Sequence, residues 1–253
     1  MATRLHRWCS QRATIGPLSL VALAVFALVP AAGCGMVANS RNAQGVRLYQ
    51  QGYYQQALQN FQQATTADPQ DPDGYYNLAS TYHRMAKVDG RKEYLAQAET
   101  LYNQCLDRDP NHQDCYRGLA VLLAEEQRTE EANRLLQGWA ARNPTLAAPK
   151  VELARLSDEL GDKQAAKNYL VDALAIDPYN SRALAALGRI HEESGNTAQA
   201  LSDYERSLWH DRFQPEVAAR VASIRSALGP AAPPPAQPGG ARYAISPATP
   251  TIR

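Results

Sequence analysis

Four cysteines and five histidines are the side chains of this 253-residue chain best equipped for chemistry. Cys105 and Cys115 bracket His112, with Asp107 and Asp109 alongside, so thiol, imidazole and carboxylate meet in one short stretch. That donor set suits a metal ion, but its spacing matches no standard zinc pattern, and no metal site is expected. The two thiols admit two readings. They form a disulfide if the hairpin between them closes, or they are two small buried residues. His83, His112, His191 and His210 lie one per region, with no pattern to unite them. His191-Glu192-Glu193 is half of a metalloprotease helix whose second histidine is missing. No phosphate loop and no glycine-flanked nucleophilic serine occurs. The expected protein is therefore not an enzyme, and has no catalytic residue, cofactor or small-molecule substrate.

The other two cysteines sit in a different context. Arg4, Arg7 and Arg12 precede an apolar run from Leu18 to Val29, which is too short for an ordinary membrane-spanning helix and reads as an export signal. Ala31-Ala32-Gly33-Cys34 follows, and small residues ending at a cysteine resemble a bacterial lipobox. The resemblance implies cleavage before Cys34, diacylglycerol on its thiol and acylation of the new amine, and several acyl chains anchor stably where one does not. Ala31 stands where leucine is usual, and ordinary secretion with cleavage after Ala32 or Gly33 is the alternative. Residues 1–33 are thus read as a lipoprotein-type signal peptide and 34–41 as an anchor linker. Gly35 after the cysteine does not call for inner-membrane retention. The expected location is exported and lipid-anchored to the cell envelope, on the periplasmic face with the outer membrane favoured. Export also makes the pair Cys105 and Cys115 compatible with a disulfide. The formal charge is +1, and residues 1–33 hold three of the arginines, so the rest is close to neutral. Nucleic acid is not an expected partner.

The remainder is periodic. In Lys150 to Pro178 two amphipathic halves flank a turn at Gly161-Asp162, with apolar residues recurring at steps of three and four. Asp177-Pro178 ends the second half, because proline disfavours the helical region for the residue before it. Asp68-Pro69, Asp109-Pro110 and Asn143-Pro144 mark equivalent ends, and the last three of the four prolines recur every 34 residues. Twelve before each proline stands a small residue (Ala57, Ala98, Ala132, Ala166) and eight before it a bulky one (Phe61, Tyr102, Leu136, Leu170). Pro69 to Pro110 is seven residues longer than the period, and the surplus falls around Lys87–Arg91 as a longer turn or an extended helix. A fifth unit, from Asn180 to about Arg212, keeps Leu187-Gly188, Ala200 and Tyr204. Glu216 to Leu228 is one more helix, with Val217, Val221, Ile224 and Leu228 on one side, suited to cap the last unit.

Repetition of helix, turn and helix at this period, with small, bulky and proline residues in register, resembles the tetratricopeptide repeat. The resemblance implies an all-α protein, a right-handed α-solenoid of about five repeats with a C-terminal capping helix over residues 42–228. Residues 229–253 are Pro-rich and expected to be disordered. The glutamines of the first repeat are read as a solvated face, Trp139 as a buried spacer, and Glu152, Arg155, Asp158, Glu159 and Asp162 as a solvated charged face. Such repeats bind peptides on the surface lined by their first helices. By that resemblance the protein-binding groove comprises Asn42 and Tyr49, then Tyr76, Ser80, His83 and Arg84, then Arg117, Val121 and Glu125, then Arg155 and Asp158, and finally Arg189 and Glu192. The Lys/Asn/Arg set that clamps a terminal carboxylate in chaperone-type members is not present at Asn42/Val46, Tyr76/Ser80 and Arg117/Val121. The function this implies is a non-enzymatic scaffold that binds one or more proteins of an envelope complex (pilus, outer-membrane or cell-wall machinery). The alternative is an accessory subunit that docks and localises a cell-wall enzyme.

Overall fold

Each Asx-Pro pair does what its backbone chemistry requires. Asp68, Asp109 and Asn143 leave the helical region (φ −134°, −126° and −131°), ending a helix one residue before a proline. Asp71, His112 and Asn180 then cap the next helix by accepting a backbone N–H at its start. The computed structural model describes residues 35–229, which are all-helical and contain no strand. A first helix, α1, is described over residues 35–50. It is followed by α2 (Tyr54–Ala67), α3 (Pro72–Asp89), α4 (Glu93–Arg108), α5 (Gln113–Glu125) and α6 (Thr129–Arg142). Then come α7 (Ala148–Glu159), α8 (Lys163–Ile176), α9 (Ser181–Glu193), α10 (Thr197–His210) and α11 (Pro215–Leu228). The helices pair in sequence order as five helix–turn–helix units followed by α11. No helix among the described residues is long and apolar enough to cross a membrane.

The chain divides into two compact units, the first ending at Asp172 and the second beginning at Ala173. In the first, the small residues of the period are sealed: Ala57, Ala98, Ala132 and Ala166 are all 0% exposed. Phe61, Tyr102, Leu136 and Leu170 fill the space beside them and are equally buried. Trp139 is buried, as a spacer should be, with its ring stacked 4.2 Å from that of Tyr116. In the second unit Ala200 and Tyr204 repeat the scheme against Val221 and Ile224 of α11, while Leu228 at the helix end is exposed.

One local expectation is decided between its two alternatives, and two others change. The seven surplus residues lengthen helices rather than the turn. α3 has 18 residues where α5 has 13, and α4 has 16 where α6 has 14. The stretch expected as a linker is helical from residue 35, and Ala38 within it is buried, since it holds no proline to stop a helix started there. Glu152 does not belong to a solvated face; it is completely buried. The glutamines at 50, 51, 55, 56, 59, 62 and 63 are exposed. Residues 1–34, with the signal segment and Cys34, and the tail from 230 lie outside the described residues.

Candidate protein-binding groove

A cleft of about 290 Å³ opens across α1, α3 and α5. Steps of three and four on α3 place Tyr76, Ser80, His83, Arg84 and Lys87 on one face, and Tyr49 of α1 and Arg117 and Val121 of α5 face them. Seven of the residues expected to form a groove therefore line one cleft. Lys87, Tyr102, Asp114 and Gly118 complete it. Tyr102 belongs to a second helix, and its role in the period hid its reach. Gly118 makes that reach possible, because a Cβ built there would lie 2.5 Å from the Tyr102 ring.

The cleft is held by paired charges. His83 Nε2–H donates to Glu125 (3.0 Å), and Lys87 binds the other oxygen of the same carboxylate. Burial opposes ionisation of Glu125, but the bonds from Lys87 and His83 outweigh it and hold its pKa below the ordinary carboxylate value. Arg117 donates through Nη2 (2.8 Å) and Nε (3.1 Å) to Glu152 of α7, and through Nη1 to Asp114 (3.0 Å). Arg155 Nε adds a third approach to Glu152 at 3.0 Å and Nη1 reaches Glu159. Glu152 thus ties α5 to α7 from inside, which is why a carboxylate is tolerated with no exposure. Burial, followed by the Asp114 charge, raises the Tyr76 pKa, and burial raises that of Tyr102 further, so both phenols stay neutral donors. Arg84 differs from the other cations of the cleft. Its Nε donates to Tyr54 Oη (3.3 Å), Tyr54 sits edge-on to Tyr49 at 5.4 Å, and no carboxylate partners it among the described residues.

The other expected groove residues fall elsewhere. Asn42 donates to Asp71 (3.0 Å), tying α1 to the loop before α3. Asp158 lies 3.9 Å from Lys163. In the second unit Arg189 pairs with Glu193 (2.8 Å), and Glu192 accepts from Tyr204 Oη (2.9 Å). Beside them His191 and Asp203 form a buried pair at 2.8 Å.

Cys105 and Cys115 are joined as a disulfide, Cα–Cα 6.6 Å, linking the end of α4 to the start of α5. His112 lies close enough to form a three-donor metal cluster with them. Its bonds oppose that use. Nδ1 accepts the Cys115 N–H (3.2 Å) and Nε2–H donates to Asp73 (3.0 Å), so the only lone pair of the ring is engaged.

The sequence profile of the tetratricopeptide repeat matches residues 93–156 and 159–224, and two related profiles match 45–85 and 72–112. The chain belongs to the tetratricopeptide repeat family. Among curated relatives it is 27% identical over 176 residues to Protein O-mannosyl-transferase TMTC3 of Homo sapiens, a match covering 66% of this chain and 19% of that protein. It is 27% identical over 178 residues to Cellulose synthase operon protein C of Pseudomonas fluorescens, covering 66% of this chain and 13% of that one. The chain spans less than a fifth of the length of these relatives. A thermophilic tetratricopeptide repeat protein of Thermus thermophilus superimposes with TM-score 0.55 at 25% identity, over 74% of this chain and 98% of that one. PilW, a type IV pilus biogenesis factor, gives TM-score 0.50 at 20% identity, over 76% and 86%. The pilF protein of Pseudomonas aeruginosa gives 0.50 at 16%, over 78% and 86%. These last two share the fold. A repeat fold of this kind is a protein-interaction scaffold.

Proposed function

We propose that the chain is a non-enzymatic, protein-binding scaffold of the bacterial envelope, tethered through acylated Cys34 and supporting assembly of an envelope complex. The observation that carries the binding half is the cleft itself. Successive repeats place tyrosines and cations on one concave surface, where aromatic rings give wide contact at low entropy cost and the cations give orientation. The tether rests on the Ala31–Cys34 motif, and a pilus-type assembly is favoured by the fold shared with the pilus biogenesis factor. The periplasmic face of the outer membrane is the proposed location.

The test is crosslinking in the native cell followed by mass spectrometry of captured proteins. Wild type, Cys34→Ala and the groove variant Tyr76→Ala/Arg84→Ala are compared. Loss of one envelope complex in the groove variant, with helical circular dichroism unchanged, supports the scaffold. Unchanged capture refutes the groove assignment. Capture that survives Cys34→Ala removes the tether from the proposal.

A further inference from the structure

The cleft is not a uniform surface. A second cavity of about 230 Å³ adjoins it and shares Tyr49, Tyr76 and Ser80 with it. Val46 and the buried Phe61 line this second cavity, and its walls are predominantly apolar. The first cavity carries Arg84, Lys87, His83 and Arg117, with one acidic lining residue, Asp114, which is paired with Arg117. Each cavity is below the usual size of a small-molecule site, and fits one or two side chains rather than a whole ligand.

Internal pairing decides which cation is available. Lys87 is held by Glu125, and Arg117 by Asp114 and Glu152. Arg84 alone among these three has a phenol and no carboxylate as its partner among the described residues. An incoming carboxylate there meets a guanidinium already oriented by Tyr54, and forms a charge-assisted bond without breaking an ion pair.

The spacing follows from helix geometry. On α3 the residues lining the apolar cavity run from Tyr76 to Thr81, and Arg84 in the charged one lies three to eight residues further on. At 1.5 Å per residue that is about 5–12 Å along the helix. An extended peptide covers the middle of that range in about three residues.

Resting on the reading of this cleft as protein-binding, we infer that its occupant is an internal, extended peptide segment bearing an apolar side chain and an acidic side chain about three residues apart. The apolar side chain enters beside Val46 and Phe61, and the carboxylate pairs with Arg84. A terminal carboxylate is not required.

The probes are N-acetylated, C-amidated, fluorescein-labelled heptapeptides holding Leu and Glu three residues apart, in both orders, in a Gly/Ser background. The full chain in lipid nanodiscs is titrated by fluorescence polarisation. One of the two orders is expected to bind, and to weaken about threefold on Glu→Gln, because Arg84 is solvent-exposed and glutamine keeps an acceptor for it, and about tenfold on Leu→Ser. Arg84→Gln should cut the Glu/Gln discrimination below twofold and leave the Leu/Ser discrimination intact. Val46→Asn should do the reverse. This crossed pattern separates recognition from misfolding, since an unfolded variant loses both. Equal binding of Glu and Gln peptides to wild type, or discrimination that survives Arg84→Gln, overturns the inference and leaves the scaffold reading standing. If no peptide in either order binds, both the inference and the assignment of this cleft as a peptide site are overturned.

Discussion

Replacing Glu152 by glutamine tests the central claim about how the groove is held. The Glu152 side chain is 0% exposed, and it receives Arg117 at 2.8 and 3.1 Å, Arg155 at 3.0 Å and Gln113 at 3.5 Å. Glutamine keeps the volume but removes the charge, and its NH₂ group is aimed at donors. Breaking a buried pair on one side costs about 3–5 kcal/mol when the surviving charge stays buried. Here the survivors have an escape, since the side chains of Arg117 and Arg155 are 32% and 25% exposed and can turn partly to water. The expected loss is therefore smaller, about 2–3 kcal/mol. Urea unfolding followed by helical circular dichroism reads the total, and hydrogen exchange in α5 and α7 reads where the loss falls, which matters because repeat arrays need not unfold in one step. Arg117→Met alone and combined with Glu152→Gln completes a double-mutant cycle, with an expected coupling above about 1 kcal/mol. A Glu152→Gln chain within about 0.5 kcal/mol of wild type, or a coupling near zero, refutes the view that this ion cluster joins α5 to α7.

Three further outcomes are expected. Gln127 is a non-glycine residue at positive φ (64°), at the period position where Gly161 and Gly195 stand, so Gln127→Gly should stabilise by up to about 1 kcal/mol in the same urea titration. The Cys105–Cys115 link closes a loop of sequence separation 10, for which chain entropy assigns about 3 kcal/mol; Cys105→Ala/Cys115→Ala should lower stability by up to that amount, and an unchanged urea midpoint would speak against the link. Glu125 has a lowered folded pKa, so its contribution is present above its unfolded value of about 4.3 and is lost as pH falls through the folded value. Thermal melts across the acid range, from about pH 6 to about pH 3, should therefore fall more steeply for wild type than for Glu125→Gln, and parallel curves would remove the His83–Glu125–Lys87 contact from the account.

The sequence by itself determined the fold and the repeat register. A local code did this: proline sets helix ends, alanine marks close backbone approach, and a ring or leucine fills the neighbouring space, each at one fixed offset. Ala57/Phe61, Ala98/Tyr102 and Ala132/Leu136 were legible because both members lie on one helix, four residues apart. The positions of Tyr76, Ser80, His83 and Arg84 on a shared face were legible for the same reason. What only the tertiary structure decided is pairing across repeats. Glu152 reads as one more charge on a solvated helix until Arg117, 35 residues away, is brought within 2.8 Å of it. Arg84 reads like any surface cation until its neighbours Lys87 and Arg117 are seen to be already matched. Tyr102 reads as core until Gly118, on the next helix, opens a path for its ring. Charges and rings act over a few ångströms in space, whereas periodicity records neighbours along the chain. The scaffold was therefore written in the repeats, and the pairing of charges and rings around its cleft emerged only when separate repeats came together.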